Sequence, residues 1–432
     1  MFGAKRLTTS GSNRRPAGAP HPPDYTVTNL SIQITNEYRT LLNMVDIMKH
    51  QRCKVDHFII SVLILITAIW CSSEKQIERN EVATKLQALV DSVIDSESED
   101  PIYNAVLLVE SPKIKWKGAA GKADGKQEAM TTDHKIKIAS IGKMFTATLI
   151  LQLFEDGYFK LDDTIDKFLD NPTVKLDSLH IYNGISFGRQ ITVEHLLSHR
   201  SGIKDYMEDS RFIPDVLEHP NMQYSPEKIL GKYYEYQTNH KAMFPPGEDF
   251  NYSDVNYVLL AMIIEQVTGE TYHAQLKKRI FDPLKMGNRY LEYYEEPRGD
   301  KPISHAFFST LDLVTEVNTS FDWGGGGIVS TCEELNNFLR ALVDGKLFKE
   351  ESTIKQMFAV ADEGRGGSDY DYGLGIMKRL IHGLTFYGHG GAYDCDVFYC
   401  PEKDISICMS LNQMETHGKR DKFLLEAIKL VI

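Results

Sequence analysis

The chain has 432 residues, 42% of them hydrophobic, and a formal net charge of -12. That length supports two packed domains or one large composite one, and the acidic balance argues against nucleic acid as a main partner. Cofactor fingerprints are absent, and no cofactor is expected. The run Gly324 to Gly327 lacks the Lys-Ser/Thr of a phosphate loop, so it reads as a tight turn before a helix over Glu333 to Leu342.

Residues 1–47 are polar, with Arg14, Arg15 and a proline patch at Pro16, Pro20, Pro22 and Pro23, a composition that predicts disorder. Lys49, Arg52 and Lys54 then precede an apolar run from Phe58 to Cys71. Those 14 residues rise about 21 Å as a helix, short of the ~20 residues a bilayer core requires. A basic segment, a short apolar stretch and then polar Ser72-Ser73-Glu74 form the pattern of an export signal over 48–71, with Met48 as the expected start of translation. Cys71 resembles the acylated cysteine of a bacterial lipoprotein, although Trp70 is bulkier than such a site prefers. Lipidation, simple cleavage and retention as a short membrane tether are the three fates open to it. The expected location is the bacterial periplasm or outer cell envelope; the sequence sets no oligomeric state.

Residues 72–100 predict a leading helix and linker, with Ile77, Val82, Leu86, Leu89 and Val93 as its packing face. Tyr103 to Glu110 and Lys113 to Ala120 read as strands joined by a turn at Ser111-Pro112. A helix carrying Met144, Phe145, Leu149, Ile150, Leu153 and Phe154 follows and stops at Gly157. From about 166 to 320 the pattern is helices and long loops, clearest over Val255 to Val267 with Gly269 just past its end. Strand-like runs return at Leu384 to Tyr387, Cys395 to Tyr399 and Ile405 to Leu411, and Lys422 to Leu430 closes as a helix. Strands at both ends around a helical middle predict one antiparallel sheet flanked by helices over 101–432, an α/β part joined to an all-α insert.

Chemistry concentrates at three places. Ser140 and Lys143 are three apart on a helix and therefore share a face, which fits a serine nucleophile with its own lysine base. The same spacing recurs at Ser72, Ser201, Ser225 and Ser352, so context must distinguish it, and Ser140 is also a fair helix N-cap. Tyr252-Ser253-Asp254 follows Pro245-Pro246-Gly247: the tyrosine could relay a proton, and Asp254 could cap the Val255 helix. His389-Gly390-Gly391 begins just after the Leu384 strand, where glycines would let a substrate lie on the strand edge and the histidine could donate to an oxyanion or carboxylate. His195 and His199 are four apart, but Leu196 stands where a zinc protease needs glutamate, and no metal is expected. Cys332, Cys395, Cys400 and Cys408 read as buried thiols. Asp162 and Asp163 read as a loop and cap.

The three motifs in this order, with His195 to Ile203, Phe244 to Gly247, Tyr257 to Leu260 and Gly326 to Thr331 between them, resemble the serine β-lactamase and penicillin-binding-protein superfamily. The resemblance is to the branch of class C β-lactamases, D-alanyl-D-alanine carboxypeptidases, D-aminopeptidases and esterases. It implies a β-lactamase/transpeptidase-like fold and a serine hydrolase cleaving an ester, an amide or a D-amino-acid peptide. Ser140 would form the acyl-enzyme, Lys143 and Tyr252 would move its proton, and the amides of Ser140 and Ala392 would hold the oxyanion. Asp254, His389, Gly390 and Gly391 would bind substrate. Two departures stand out. Asp254 replaces the usual asparagine, placing a carboxylate near Lys143, which supports the competing reading of a non-catalytic envelope binding protein. His389 stands where true β-lactamases carry a lysine, as histidine does among the branch's peptidases and esterases, so strong penicillin hydrolysis is not expected.

Overall fold

The computed structural model describes Arg39 and residues 55–98, 100–360 and 370–432. Apart from Arg39, the segment 1–47 for which disorder is expected lies outside the described residues, as does the Cys71 side chain. The chain divides into two units, Met1–Gln76 and Ile77–Ile432. Helix α1 (Val55–Val93) includes the apolar run of the first unit, where Ile64, Leu65 and Trp70 are exposed. Among the described residues no helix is long and apolar enough to cross a membrane.

The second unit is organised by a seven-stranded antiparallel sheet. Its strands are β1 (Asn104–Glu110), β2 (Lys115–Gly121), β3 (Asp371–Tyr372), β4 (Met377–Ile381), β5 (Leu384–Gly391), β6 (Cys395–Cys400) and β7 (Ile405–Ser410). The spatial order is β3-β4-β5-β6-β7-β1-β2, so the last strand of the chain's C-terminal run pairs with the first, Val106 opposite Ser410. The turn between β1 and β2 is closed by Ser111, whose hydroxyl accepts from the amides of Lys113 and Ile114.

Side-chain alternation divides the sheet's two faces. Ala105, Leu107 and Val109 of β1 join Phe398, Ile407 and Met409 in one apolar layer, covered by Leu86 and Val90 of α1 and by Phe423, Leu424 and Ile428 of the C-terminal helix. Val82, Leu89 and Val93 pack at its margin as the periodicity predicts, but Ile77, read as part of that face, is 62% exposed. Val106, Leu108, Val397 and Cys408 point into the other layer. There they meet α2 (Gly142–Glu155), α3 (Asp254–Thr268) and α4 (Cys332–Val343). Phe145 of α2 stacks on Phe338 of α4 with centroids 3.7 Å apart. Truncating such a buried aromatic costs about 3–5 kcal/mol, so this stack sets the depth at which α2 lies.

Apart from α3 and the helix Pro226–Glu235, the chain between α2 and α4 forms short helices, two- and three-residue strands and loops. A small sheet of Ile136–Lys137, Ile328–Ser330 and Tyr290–Leu291 ties this segment to the strand that leads into α2. Cys332, Cys395, Cys400 and Cys408 are buried free thiols.

Candidate functional site

Ser140 sits in a single 3-10 turn, Ala139–Ile141, at the entrance of α2. Ala139 before it has φ +42°, a left-handed conformation unfavourable to a side chain with a Cβ, and this turn projects Ser140 out of the run of the helix. The serine is therefore no N-cap: no side-chain cap bond is made at this end, and its hydroxyl accepts from Lys143 instead.

Lys143 is fully buried and is the second residue of α2. Its Nζ lies 2.9 Å from Ser140 Oγ, 2.5 Å from Asp254 Oδ1 and 3.1 Å from the Gly325 carbonyl. Three acceptors around one nitrogen is the geometry of an ammonium donating three hydrogen bonds. The Tyr252 ring closes a further side, its centroid 4.9 Å from Nζ.

The glycine run explains how the lysine is reached. The tight turn expected from four glycines is a buried helical turn, Trp323–Gly326. A Cβ on Gly326 would come 2.7 Å from the Ala139 carbonyl carbon, and one on Gly324 would come 2.5 Å from Ala261 Cβ. Close approach is what those glycines supply, and through it the Gly325 carbonyl meets Lys143.

Tyr252 and Asp254 come from the start of α3. Asp254 is its first residue, and its carboxylate pairs with Lys143 rather than capping the helix. The cap comes from elsewhere in the chain: Asp205 Oδ2 accepts from the Asp254 amide at 2.8 Å, and its other oxygen accepts from Met207 N at 3.0 Å. Burial, with Asp254's charge second, pushes the Asp205 carboxyl up to about 7. Burial, with Asp254's charge second, holds the Tyr252 hydroxyl well above the usual phenol range, so it is a protonated phenol at neutral pH, and Ser140 is the neighbour that favours its charged form.

His389, Gly390 and Gly391 lie inside β5, which runs four residues further than the apolar pattern shows. The cause is again the missing Cβ. At Gly391 it would fall 2.4 Å from the Ile138 carbonyl oxygen, so the strand end lies against the turn that carries Ser140. Ala392 follows directly and is exposed. The His389 ring is buried: Nδ1 donates to the Gly390 carbonyl at 2.6 Å, and Nε2 accepts from the Tyr372 hydroxyl at 3.0 Å. Burial, then Lys143's charge, lowers its pKa to about 3, leaving a neutral imidazole.

His195 and His199 do not converge on a metal. His195 accepts from the Thr192 amide in a capping box, while His199 is buried beside Tyr252. Asp163 accepts from the Lys160 amide and pairs with Lys167. A cavity of about 700 Å3 is bounded by Tyr372, His195, Ser198 and Arg200, and its lining does not include Ser140 or Lys143. The sequence reading missed Asp205, the Gly325 carbonyl and Tyr372. Only Asp205 carried a signal, an acidic residue two beyond the end of the phrase His195 to Ile203.

A serine held by a buried lysine and a tyrosine, beside a strand edge, is an arrangement for acyl transfer. A family profile described as Beta-lactamase matches residues 90–429. A D-aminopeptidase of Brucella anthropi is 26% identical over 317 residues, 71% of this chain and 55% of the relative, so the chain spans little more than half of that protein. Among solved structures, a D-stereospecific amidohydrolase from Streptomyces sp. superposes with TM-score 0.65 at 28% identity, covering 78% of this chain and 97% of that one. The octameric penicillin-binding protein homologue from Pyrococcus abyssi gives TM-score 0.61 at 26% identity over 76% of this chain and 73% of its own.

Proposed function

The chain belongs to the Beta-lactamase family, and on that footing we propose that it is a serine hydrolase that cleaves amide or ester bonds of D-amino-acid substrates through an acyl-enzyme on Ser140. The observation that carries this reading is the contact of Ser140 Oγ with Lys143 Nζ at 2.9 Å, inside a cage that also holds Asp254 and Tyr252.

Ser140 Oγ attacks the substrate carbonyl carbon. Its proton leaves toward Lys143 once that nitrogen has given up one of its three donated hydrogens, or toward the leaving group through Tyr252. Charge developing on the carbonyl oxygen meets the amides of Ser140 and Ala392, fixed by the turn at Ala139 and the end of β5. The C–N or C–O bond breaks, the leaving group takes the proton, and water repeats the sequence on the ester to free the acid and Ser140.

Two features favour D-aminoacyl over β-lactam substrates. Neutral His389 offers no permanent charge to a β-lactam carboxylate. Asp254, with one oxygen on Lys143 and a fifth of its side chain exposed, adds negative charge complementary to a free α-ammonium. The D-aminopeptidase and D-stereospecific amidohydrolase among the relatives support the same choice. The test is a panel of D- and L-alanine p-nitroanilide, N-acetyl-D-alanine p-nitroanilide and benzylpenicillin. D-alanine p-nitroanilide should have the highest kcat/KM and acetylation should lower it; preference for the L isomer or for penicillin would refute the assignment. Export through the segment 48–71, with Cys71 as a lipid attachment point, is part of the same proposal.

A further inference from the structure

Tyr252 can serve Ser140 only if its hydroxyl is held in place, yet it lies outside any helix or strand. The residues on both sides of it hang on one side chain and its backbone. Asn251 N–H donates to the His199 carbonyl at 2.9 Å, and Ser253 N–H donates to His199 Nδ1 at 3.1 Å. The His199 ring itself lies on the Tyr252 ring, centroids 4.2 Å apart and planes 28° apart. Asn256 Nδ2 reaches the same Nδ1 at 3.0 Å, and the rings of Tyr257 and Tyr372 close around the imidazole at 5.2 and 4.8 Å.

The chemistry of the donors fixes the tautomer. A backbone amide can only donate, so Nδ1 is the bare nitrogen and the proton is on Nε2. Burial, with Lys143's charge second, holds the ring neutral and so preserves that acceptor. His199 also has φ +55°, a left-handed backbone that Asn, Asp and His tolerate better than most residues and that turns its carbonyl toward Asn251.

We propose that His199 is a positioning residue that holds Tyr252 at the Ser140 hydroxyl, through two hydrogen bonds to the flanking peptide groups and a stacked ring. The inference rests on Tyr252 carrying the serine's proton. It acts through that hydroxyl alone, so its effect must vanish when the hydroxyl is removed.

A double-mutant cycle on p-nitrophenyl acetate tests this. His199→Phe keeps an aromatic face but loses the acceptor; kcat should fall about 10²-fold, the loss expected for misplacement by about 1 Å, with KM within about twofold. His199→Asn keeps an acceptor and tolerates the left-handed backbone, so it should retain kcat to within about tenfold of wild type. In a Tyr252→Phe background either His199 substitution should change kcat by less than about twofold. A full multiplicative loss in that background, or no loss from His199→Phe alone, overturns the inference. If Tyr252→Phe itself leaves kcat unchanged, the role given to Tyr252 fails, and the inference falls with it for a distinguishable reason. Should His199→Phe give no cooperative thermal transition, the cycle of His199→Asn with Tyr252→Phe applies the same additivity criterion to whatever loss His199→Asn shows, and an activity equal to wild type then counts against the ring's part.

Discussion

Gly325→Ala should disable the site without replacing any group that performs chemistry. A Cβ at this position would stand 2.8 Å from Asp254 Oδ1 and 3.4 Å from Lys143 Nζ. Carbon and oxygen pack without strain only near 3.4 Å, so the carboxylate must recede by about 0.6 Å, or the Trp323–Gly326 turn must move away and take the Gly325 carbonyl with it. Either response breaks one of the three hydrogen bonds that hold Lys143 against Ser140. Displacements of this size cost roughly 10- to 100-fold in rate, and the overpacking should cost about 1–3 kcal/mol of stability. The assay is kcat on an activated ester together with urea denaturation. Gly231→Ala is the control: that glycine lies within the helix Pro226–Glu235 with nothing within 4 Å of the added carbon, so alanine there should stabilise by up to about 1 kcal/mol and leave kcat alone. Wild-type kcat in Gly325→Ala would refute the claim that the glycine run exists to bring the carbonyl and the ion pair to Ser140.

Other consequences follow from the charges around this pair. Asp254→Asn leaves a fully buried Lys143 without its counter-charge, so stability should fall by about 3 kcal/mol in urea denaturation at pH 6; an unchanged midpoint would contradict it. Asp205 carries a raised pKa of about 7, whereas an unfolded aspartate titrates near 4. Between those values the folded chain keeps a proton that the unfolded chain has lost, so this group's contribution to stability is full below about pH 4 and is lost as pH rises toward 7. Asp205→Asn, which keeps a carbonyl acceptor for the Asp254 amide, should flatten the fall in unfolding free energy between pH 4 and 7; an unaltered slope would remove Asp205 from the titration. Intact-mass analysis of protein from its native host should find a chain beginning at or near Cys71, and a cytoplasmic chain beginning at Met1 would refute the export proposal.

Much of the fold was legible because two apolar patterns are strong in this chain. The apolar run Asn104–Glu110 marks a strand buried on both faces, and the 3.6-residue pattern from Met144 to Phe154 marks a helix buried nearly all round. Ser140 and Lys143 were legible because three residues along a helix is a local distance. What could not be read depends on residues far apart in sequence. Asp205 caps α3 across 49 residues, so nothing local distinguishes it from Asp254 as the cap. The run Gly324 to Gly327 misled, because it suggests a turn, yet Gly326 marks a place where two backbones come too close for a Cβ and Gly325 one where the Asp254 and Lys143 side chains do. Ile77 shows the opposite limit, an apolar residue at the right helical spacing that no neighbour covers.

The central claim is that Ser140 becomes acylated and that its buried lysine makes this possible. Incubation with a fluorophosphonate probe, followed by intact-mass measurement and peptide mapping, tests it most directly. Wild type should gain one adduct, mapped to Ser140; Ser140→Ala should gain none, and Lys143→Met should label at least 10²-fold more slowly while still folding. Equal labelling of wild type and Ser140→Ala, or an adduct mapped to any other residue, would contradict the account.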